Sequence, residues 1–119
     1  MIETGSYDEA GGFEAMRQLL AEGFLTPQAI FAANDLMAFG VMKALRQAGL
    51  RIPQDVAVAG FDDIPAAELV TPGLTSLRQF QDSLGRRAAQ LVLERLAGSA
   101  PPTGRVIEMP YDLIVREST

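Results

Sequence analysis

The chain has 119 residues, of which 48% are hydrophobic and 21% charged, a size and balance that suit one globular domain and exclude a multidomain assembly, a fibrous chain or a disordered one. Histidine, cysteine and tryptophan are absent, which removes disulfides, thiol nucleophiles, imidazole bases and Cys/His zinc sites and leaves carboxylates, hydroxyls and a single lysine for any chemistry. Fifteen acidic against ten basic residues give a net charge of -5, and no basic cluster exceeds Arg86–Arg87, which argues against direct nucleic-acid binding by this segment.

In chain order, the apolar residues Ala10, Phe13, Met16, Leu19 and Leu20 recur at helical spacing, and Gly23 is placed to close that helix. The continuous apolar run Ala29 to Ala33 predicts a strand buried on both faces. Asn34 and Asp35 then offer acceptors to the free amides of a helix running to about Ala48 and stopped by Gly49. The phrase repeats: Val56 to Ala59 reads as a second buried strand, Gly60 turns, and Asp62–Asp63 opens a shorter helix around Ile64 to Leu69. A third strand is expected at Leu74 to Arg78 and a helix from about Asp82 to Leu96, with Leu84, Ala88, Leu91, Val92 and Leu96 on one face. Two short extended pieces, Val106 to Met109 and Leu113 to Val115, follow across Pro110. Strand, polar end and helix in alternation predict an α/β fold with a parallel sheet flanked by helices. The longest apolar run, Leu36 to Met42, falls far short of the roughly 20 residues that span a bilayer. No internal repeat, low-complexity tract or signal peptide is expected.

In open parallel sheets ligands collect beyond the carboxyl ends of the strands, where loops and helix amino-termini converge. Asn34–Asp35, Asp62–Asp63 and Gln79 all fall at such ends. Any one of these acids alone reads most simply as a helix cap, but their convergence points to a pocket. Carboxylates and amides without a cluster of cations suit neutral, hydroxyl-bearing ligands such as sugars or nucleosides, and Tyr7 or Phe31 could supply an aromatic platform. The rival for Asp62–Asp63 is a magnesium-dependent phosphotransfer site. No glycine-rich phosphate loop with a lysine supports it, since Lys43 falls in mid-helix.

The runs Ala33-Asn34-Asp35-Leu36-Met37-Ala38-Phe39-Gly40, Ala44 to Gly49, Ile52 to Asp63 and Pro72 to Gln79, with the ending Leu113 to Ser118, resemble the effector-binding core of the lactose/galactose repressor (LacI/GalR) family of bacterial transcription regulators. The resemblance covers nearly the whole chain in order and spacing. It implies a periplasmic-binding-protein-like (type I) second lobe, incomplete here: residues 1–79 within that lobe, 80–104 a crossover helix that would pack on a first lobe, and 105–119 terminal strands returning to the second. It further implies effector contacts at Tyr7, Asn34, Asp62 and Gln79, with Asp63 capping the following short helix, and a two-fold dimer interface at Phe39, Met42, Val70 and Pro72. Many members carry proline where this chain has Phe80. The implied partners are a small-molecule effector, a sugar in the first instance, a second copy of the chain, and operator DNA through a helix-turn-helix headpiece outside these residues. No membrane, metal, cofactor or catalytic activity is expected, and the location is cytoplasmic. A second lobe of a secreted sugar-binding protein shares the fold and stands as the alternative.

Overall fold

Two helices that touch backbone to backbone set the frame of this structure, a computed structural model that describes residues 6–22 and 28–119. Helix α1 (Glu9–Ala21) starts where the Asp8 carboxylate accepts the Gly11 amide at 2.7 Å, and helix α2 (Asp35–Gln47) starts where Asn34 Oδ1 accepts the Met37 amide at 2.8 Å. Each cap satisfies one of the amides a helix leaves unpaired in its first turn. A Cβ on Gly12 would overlap the Met37 carbonyl, and one on Gly40 would overlap the Glu9 carbonyl and the Phe13 amide. The close crossing of α1 over α2 therefore depends on those two hydrogens. Lys43 reinforces it, donating to Glu9 Oε1 at 3.0 Å with its ammonium 5.7 Å from the centre of the Phe13 ring.

The strands are β1 (Ala29–Phe31), β2 (Ala57–Phe61), β3 (Thr75–Gln79) and β4 (Tyr111–Ile114), with one 3-10 helix at Pro65–Glu68 and helix α3 at Gln81–Leu96. They form one sheet in the order β1-β2-β3-β4, and β1 pairs parallel to β2 and β2 parallel to β3. The expected parallel α/β arrangement is thus present. By contact, the chain divides into two units, Met1–Arg78 with Leu113–Thr119, and Gln79–Asp112.

In the first unit, Met16, Met42, Leu45, Val56, Val58 and Leu74 are fully buried and, with Ala38 and Ala67, make one core. Burial of each large side chain is worth about 1.5–3 kcal/mol. Strand β2 alternates, with Val58 and Gly60 buried and Ala57, Ala59 and Phe61 only half-buried. The Gly60 side faces Asp35 and Ala38 of α2. Phe31, aligned with Ala59 on the opposite side of the sheet, is 65% exposed. The expectation that the first two strands are buried on both faces is therefore corrected: β1 lies at the edge of the sheet with Ala29 and Phe31 exposed, and β2 is half-buried on the Ala59 face, whereas Thr75 of β3, aligned with Ala59, is buried. The first strand also ends at Phe31, before Ala32 and Ala33. Gly23, the expected helix stop, lies outside the described residues.

The second unit holds α3, which ends ahead of Gly98, at a φ of 70°. Glu94 receives Arg87 at 3.4 Å and pairs with Arg105, while Arg95 Nη1 donates to the Pro101 carbonyl at 2.9 Å. None of the residues of α3 is buried, and Leu93 and Leu96 are 64% and 79% exposed. The extended piece expected at Val106 to Met109 forms no strand.

Replacing Gly40 with alanine tests the helix crossing. A better helix former gains about 1 kcal/mol, but overpacking costs about 1–3 kcal/mol, and here the obstructing atoms are backbone that cannot rotate away. Chemical denaturation should show Gly40→Ala less stable than the parent chain; a stabilised variant would contradict the crossing.

Candidate functional site

The turn after β2 carries Asp62 and Asp63 in left-handed backbone conformations, with φ of 105° and 51°. For residues with a Cβ each such conformation costs about 1–3 kcal/mol unless the surroundings over-determine it. They do so through three consecutive amides. Asp62 N donates to the Leu77 carbonyl at 2.9 Å, Asp63 N to Ser76 Oγ at 3.0 Å, and Ile64 N to Asp35 Oδ2 at 2.8 Å. Ser76 in turn donates its hydroxyl to Asp35 Oδ1 at 2.6 Å. The Asp35 carboxylate thereby joins the start of α2, the turn after β2 and strand β3 from a site where it is 1% exposed. Gly60 lets it approach, because a Cβ there would overlap Asp35 Oδ1.

Burial pushes the Asp35 carboxyl above the ordinary aspartate value, against the Ser76 and Ile64 hydrogen bonds, and the negative charges of Asp62 and Asp63 push it the same way. Asp63 behaves oppositely. Burial would raise its carboxyl, but hydrogen bonds from Arg116 and Arg78 outweigh that and hold it below the usual range. Arg116 Nη1 lies 2.7 Å from Asp63 Oδ1, and Arg78 Nε lies 2.6 Å from Oδ2. The expectation that Asp63 caps the short helix at Pro65–Glu68 is corrected, since the residue at its cap, Ile64, makes no side-chain cap bond and the Asp63 carboxylate is taken by the two arginines. The Ile64 amide, at that helix's entrance, goes to Asp35 instead. A carboxylate held by two guanidiniums is also a poor magnesium ligand, which weakens the reading of Asp62–Asp63 as a metal-binding pair.

Of the residues expected to contact a ligand, Asn34 and Asp62 lie in the first unit at the carboxyl end of parallel strands, and Gln79 belongs to the second unit. Asn34 follows β1, Asp62 follows β2 and Gln79 is the last residue of β3. Tyr7 is tied to this end by its carbonyl, which accepts Asn34 Nδ2 at 3.0 Å, and its side chain is 70% exposed with a backbone φ of 60°. Asn34 thus spends its oxygen on α2 and one amide hydrogen on Tyr7, fixing two elements at once. Amide, carboxylate and aromatic groups at this edge can accept and donate hydrogen bonds to hydroxyls and stack on an apolar ring face.

The expected interface residues separate into layers. Phe39 and Val70 are half-buried against the core and Pro72 is half-buried, while Met42 is 1% exposed and lies within the core, beneath that surface. The Arg46 guanidinium bonds the Thr71 carbonyl and so joins α2 to the 70–72 segment. Beside them Leu69 is 77% exposed, a position that sequence reasoning passed over. Ser76 and Arg116 were missed as well. A serine in an apolar strand and an arginine in a terminal tail carry no local pattern that pairs them with aspartates 41 and 53 residues away.

The periplasmic-binding-protein-like domain profile matches residues 1–119. The ribose operon repressor of Escherichia coli K12 is 50% identical over 93 residues, 78% of this chain and 28% of the repressor. The transcriptional repressor PurR of Pasteurella multocida is 38% identical over 117 residues, 98% of this chain and 34% of that protein. Among solved structures, the transcriptional regulator CelR in complex with cellobiose superposes with a TM-score of 0.84 at 38% identity, covering 97% of this chain and 35% of that one. A lac repressor dimer bound to operator and the anti-inducer ONPF gives 0.84 at 34% identity, over 97% of this chain and 39% of that one. The chain thus spans about a third of the length of these relatives. No helix among the described residues is long and apolar enough to cross a membrane. With its four-stranded α/β sheet, its whole-length profile match and its repressor relatives, the chain belongs to the periplasmic-binding-protein-like domain family, in the branch of the LacI-type transcription regulators.

Proposed function

We propose that this chain is the effector-sensing and dimerisation part of a cytoplasmic bacterial transcription regulator, without catalytic activity of its own. The observation that carries the reading is the turn at Asp62, where two left-handed residues are held by three amide bonds at the carboxyl end of β2. Backbone strain of this kind persists where function needs a side chain placed. Tyr7, Asn34, Asp62 and Gln79 contact the effector: Asp62 accepts hydroxyl hydrogens, Asn34 and Gln79 orient the ligand, and Tyr7 stacks on its apolar face. The names of the relatives, a ribose operon repressor and a CelR–cellobiose complex, favour a sugar over a nucleoside.

In the full-length protein, residues 1–79 and 105–119 belong to the second lobe, and residues 80–104 pack on a first lobe. The apolar side chains that α3 leaves uncovered support that assignment. Operator DNA is bound by a headpiece outside this acidic segment. An effector closing between the lobes shifts the dimer between its DNA-competent and DNA-incompetent states only to the extent that it binds one of them better.

A thermal-shift screen of the full-length protein against pentoses, disaccharides and nucleosides tests the ligand class. An effector at about 100 times its dissociation constant adds about 2.7 kcal/mol of stability, and a screen in which no sugar raises the melting temperature would refute the sugar assignment. Asp62→Ala should weaken the identified sugar by about 1.5–3 kcal/mol, the worth of a charge-assisted hydrogen bond; calorimetry giving wild-type affinity would remove Asp62 from the pocket. The dimer face comprises Phe39, Val70 and Pro72, with Leu69 beside them and Met42 supporting from below. Because Phe39 also packs on the core, Leu69→Asp is the cleaner probe. Light scattering should show it dissociating at concentrations where the parent protein is dimeric, and an equally tight dimer would reject this face.

A further inference from the structure

We infer that Arg116, in the carboxyl-terminal tail, is a positioning residue for effector binding that acts through Asp63 on Asp62; this rests on the effector reading above. Asp63 is the residue that follows Asp62 in the left-handed turn, and its side chain is 3% exposed. Such a carboxylate must be paired, because an isolated charge away from water is strongly disfavoured. Arg116 is the more enclosed of its two partners, with a side chain 14% exposed against 44% for Arg78. The pair is therefore largely out of solvent, unlike the exposed ion pairs elsewhere on the chain, which contribute little.

Arg116 is itself fixed on three sides. Its Nη1 also donates to the Leu74 carbonyl at 2.7 Å, its own amide donates to Thr75 Oγ1 at 2.8 Å, and Thr75 Oγ1 lies 3.2 Å from the Arg116 carbonyl. Two residues on, Ser118 Oγ accepts the Thr75 amide at 2.8 Å and donates to the Val58 carbonyl at 2.6 Å. The tail is thus bound to β2 and β3 and presents a guanidinium to the Asp63 side chain. The backbone amides of the turn are anchored from one side, by Leu77, Ser76 and Asp35, and its side chain from the other, by the tail and Arg78. With both anchors in place, the backbone at Asp62 is set before any ligand arrives, so the effector meets a carboxylate that need not be ordered on binding.

The test uses the full-length protein and two kinds of variant. Arg116→Ala removes the guanidinium, and the milder Arg116→Gln removes its charge while keeping a donor for the Leu74 carbonyl, which preserves a reading should the alanine variant fail to fold. Crystal structures without sugar should show Asp62 leaving its φ of 105° with β2 and β3 unmoved; an unchanged turn in both variants would overturn the inference. In calorimetry with D-ribose, then cellobiose and adenosine if D-ribose is silent, the dissociation constant should rise about 10- to 100-fold in Arg116→Ala. Arg116→Lys, which restores the charge, should recover most of that loss. Wild-type affinity in Arg116→Ala, or no difference between Gln and Lys, also counts against it. If the wild-type protein binds none of the three probes, the effector reading fails, and the crystal structures still decide whether Arg116 holds the turn.

Discussion

The buried carboxylate of Asp35 is the constraint on which the rest of this structure depends. It sits in the first turn of α2, where a negative charge is favoured by the helix dipole, yet it makes no local cap. Its oxygens reach across to Ser76 on β3 and to the Ile64 amide beyond β2. One side chain thus joins one helix, one turn and one strand that are far apart in sequence. A buried acid left without partners would cost far more than its hydrogen bonds contribute, so the network holds only as a set, and Gly60 must remain small for the carboxylate to enter.

Around that point the polar and apolar parts of the first unit divide their work. The core of Met16, Met42, Leu45, Val56, Val58 and Leu74 holds the helices on one face of the sheet and supplies most of the stability. The same unit carries the hydrogen bonds of Asp35, Ser76, Asn34 and Arg116. Their effect is geometric: they place Tyr7, Asn34 and Asp62 at one end of the strands. The strain at Asp62 and Asp63 is stored in this unit and offset there.

The helices, the parallel α/β pattern and the polar residues at the strand ends were legible in the sequence because their causes are local. Apolar residues at helical spacing, Asn34 before a helix and Gly49 after it act within a few residues, and polar residues after apolar runs mark strand ends. What was not legible depends on pairings between distant residues or on what covers a surface. The Asp63 side chain reads as a cap from its neighbours alone; only the fold brings Arg78 and Arg116 to it. The run Ala29 to Ala33 reads as doubly buried because apolar side chains carry no signal for which strand ends the sheet, and in the structure β1 is an edge strand with Phe31 65% exposed. Met42 was placed at an interface by the resemblance alone; in the structure it lies one turn on from Ala38, on the side of α2 that packs on the sheet, and is 1% exposed.

The most direct measure of this account is the coupling between Asp35 and Ser76. A double-mutant cycle of Asp35→Ala, Ser76→Ala and the double variant, read by chemical denaturation, isolates their interaction from the loss of each side chain alone. If one buried carboxylate ties the helix, the turn and the strand together, the two substitutions should be non-additive by about 1–3 kcal/mol, the double variant losing less than the sum of the singles. Additive losses would mean that Asp35 and Ser76 merely lie beside each other and that the turn at Asp62 is held by something else.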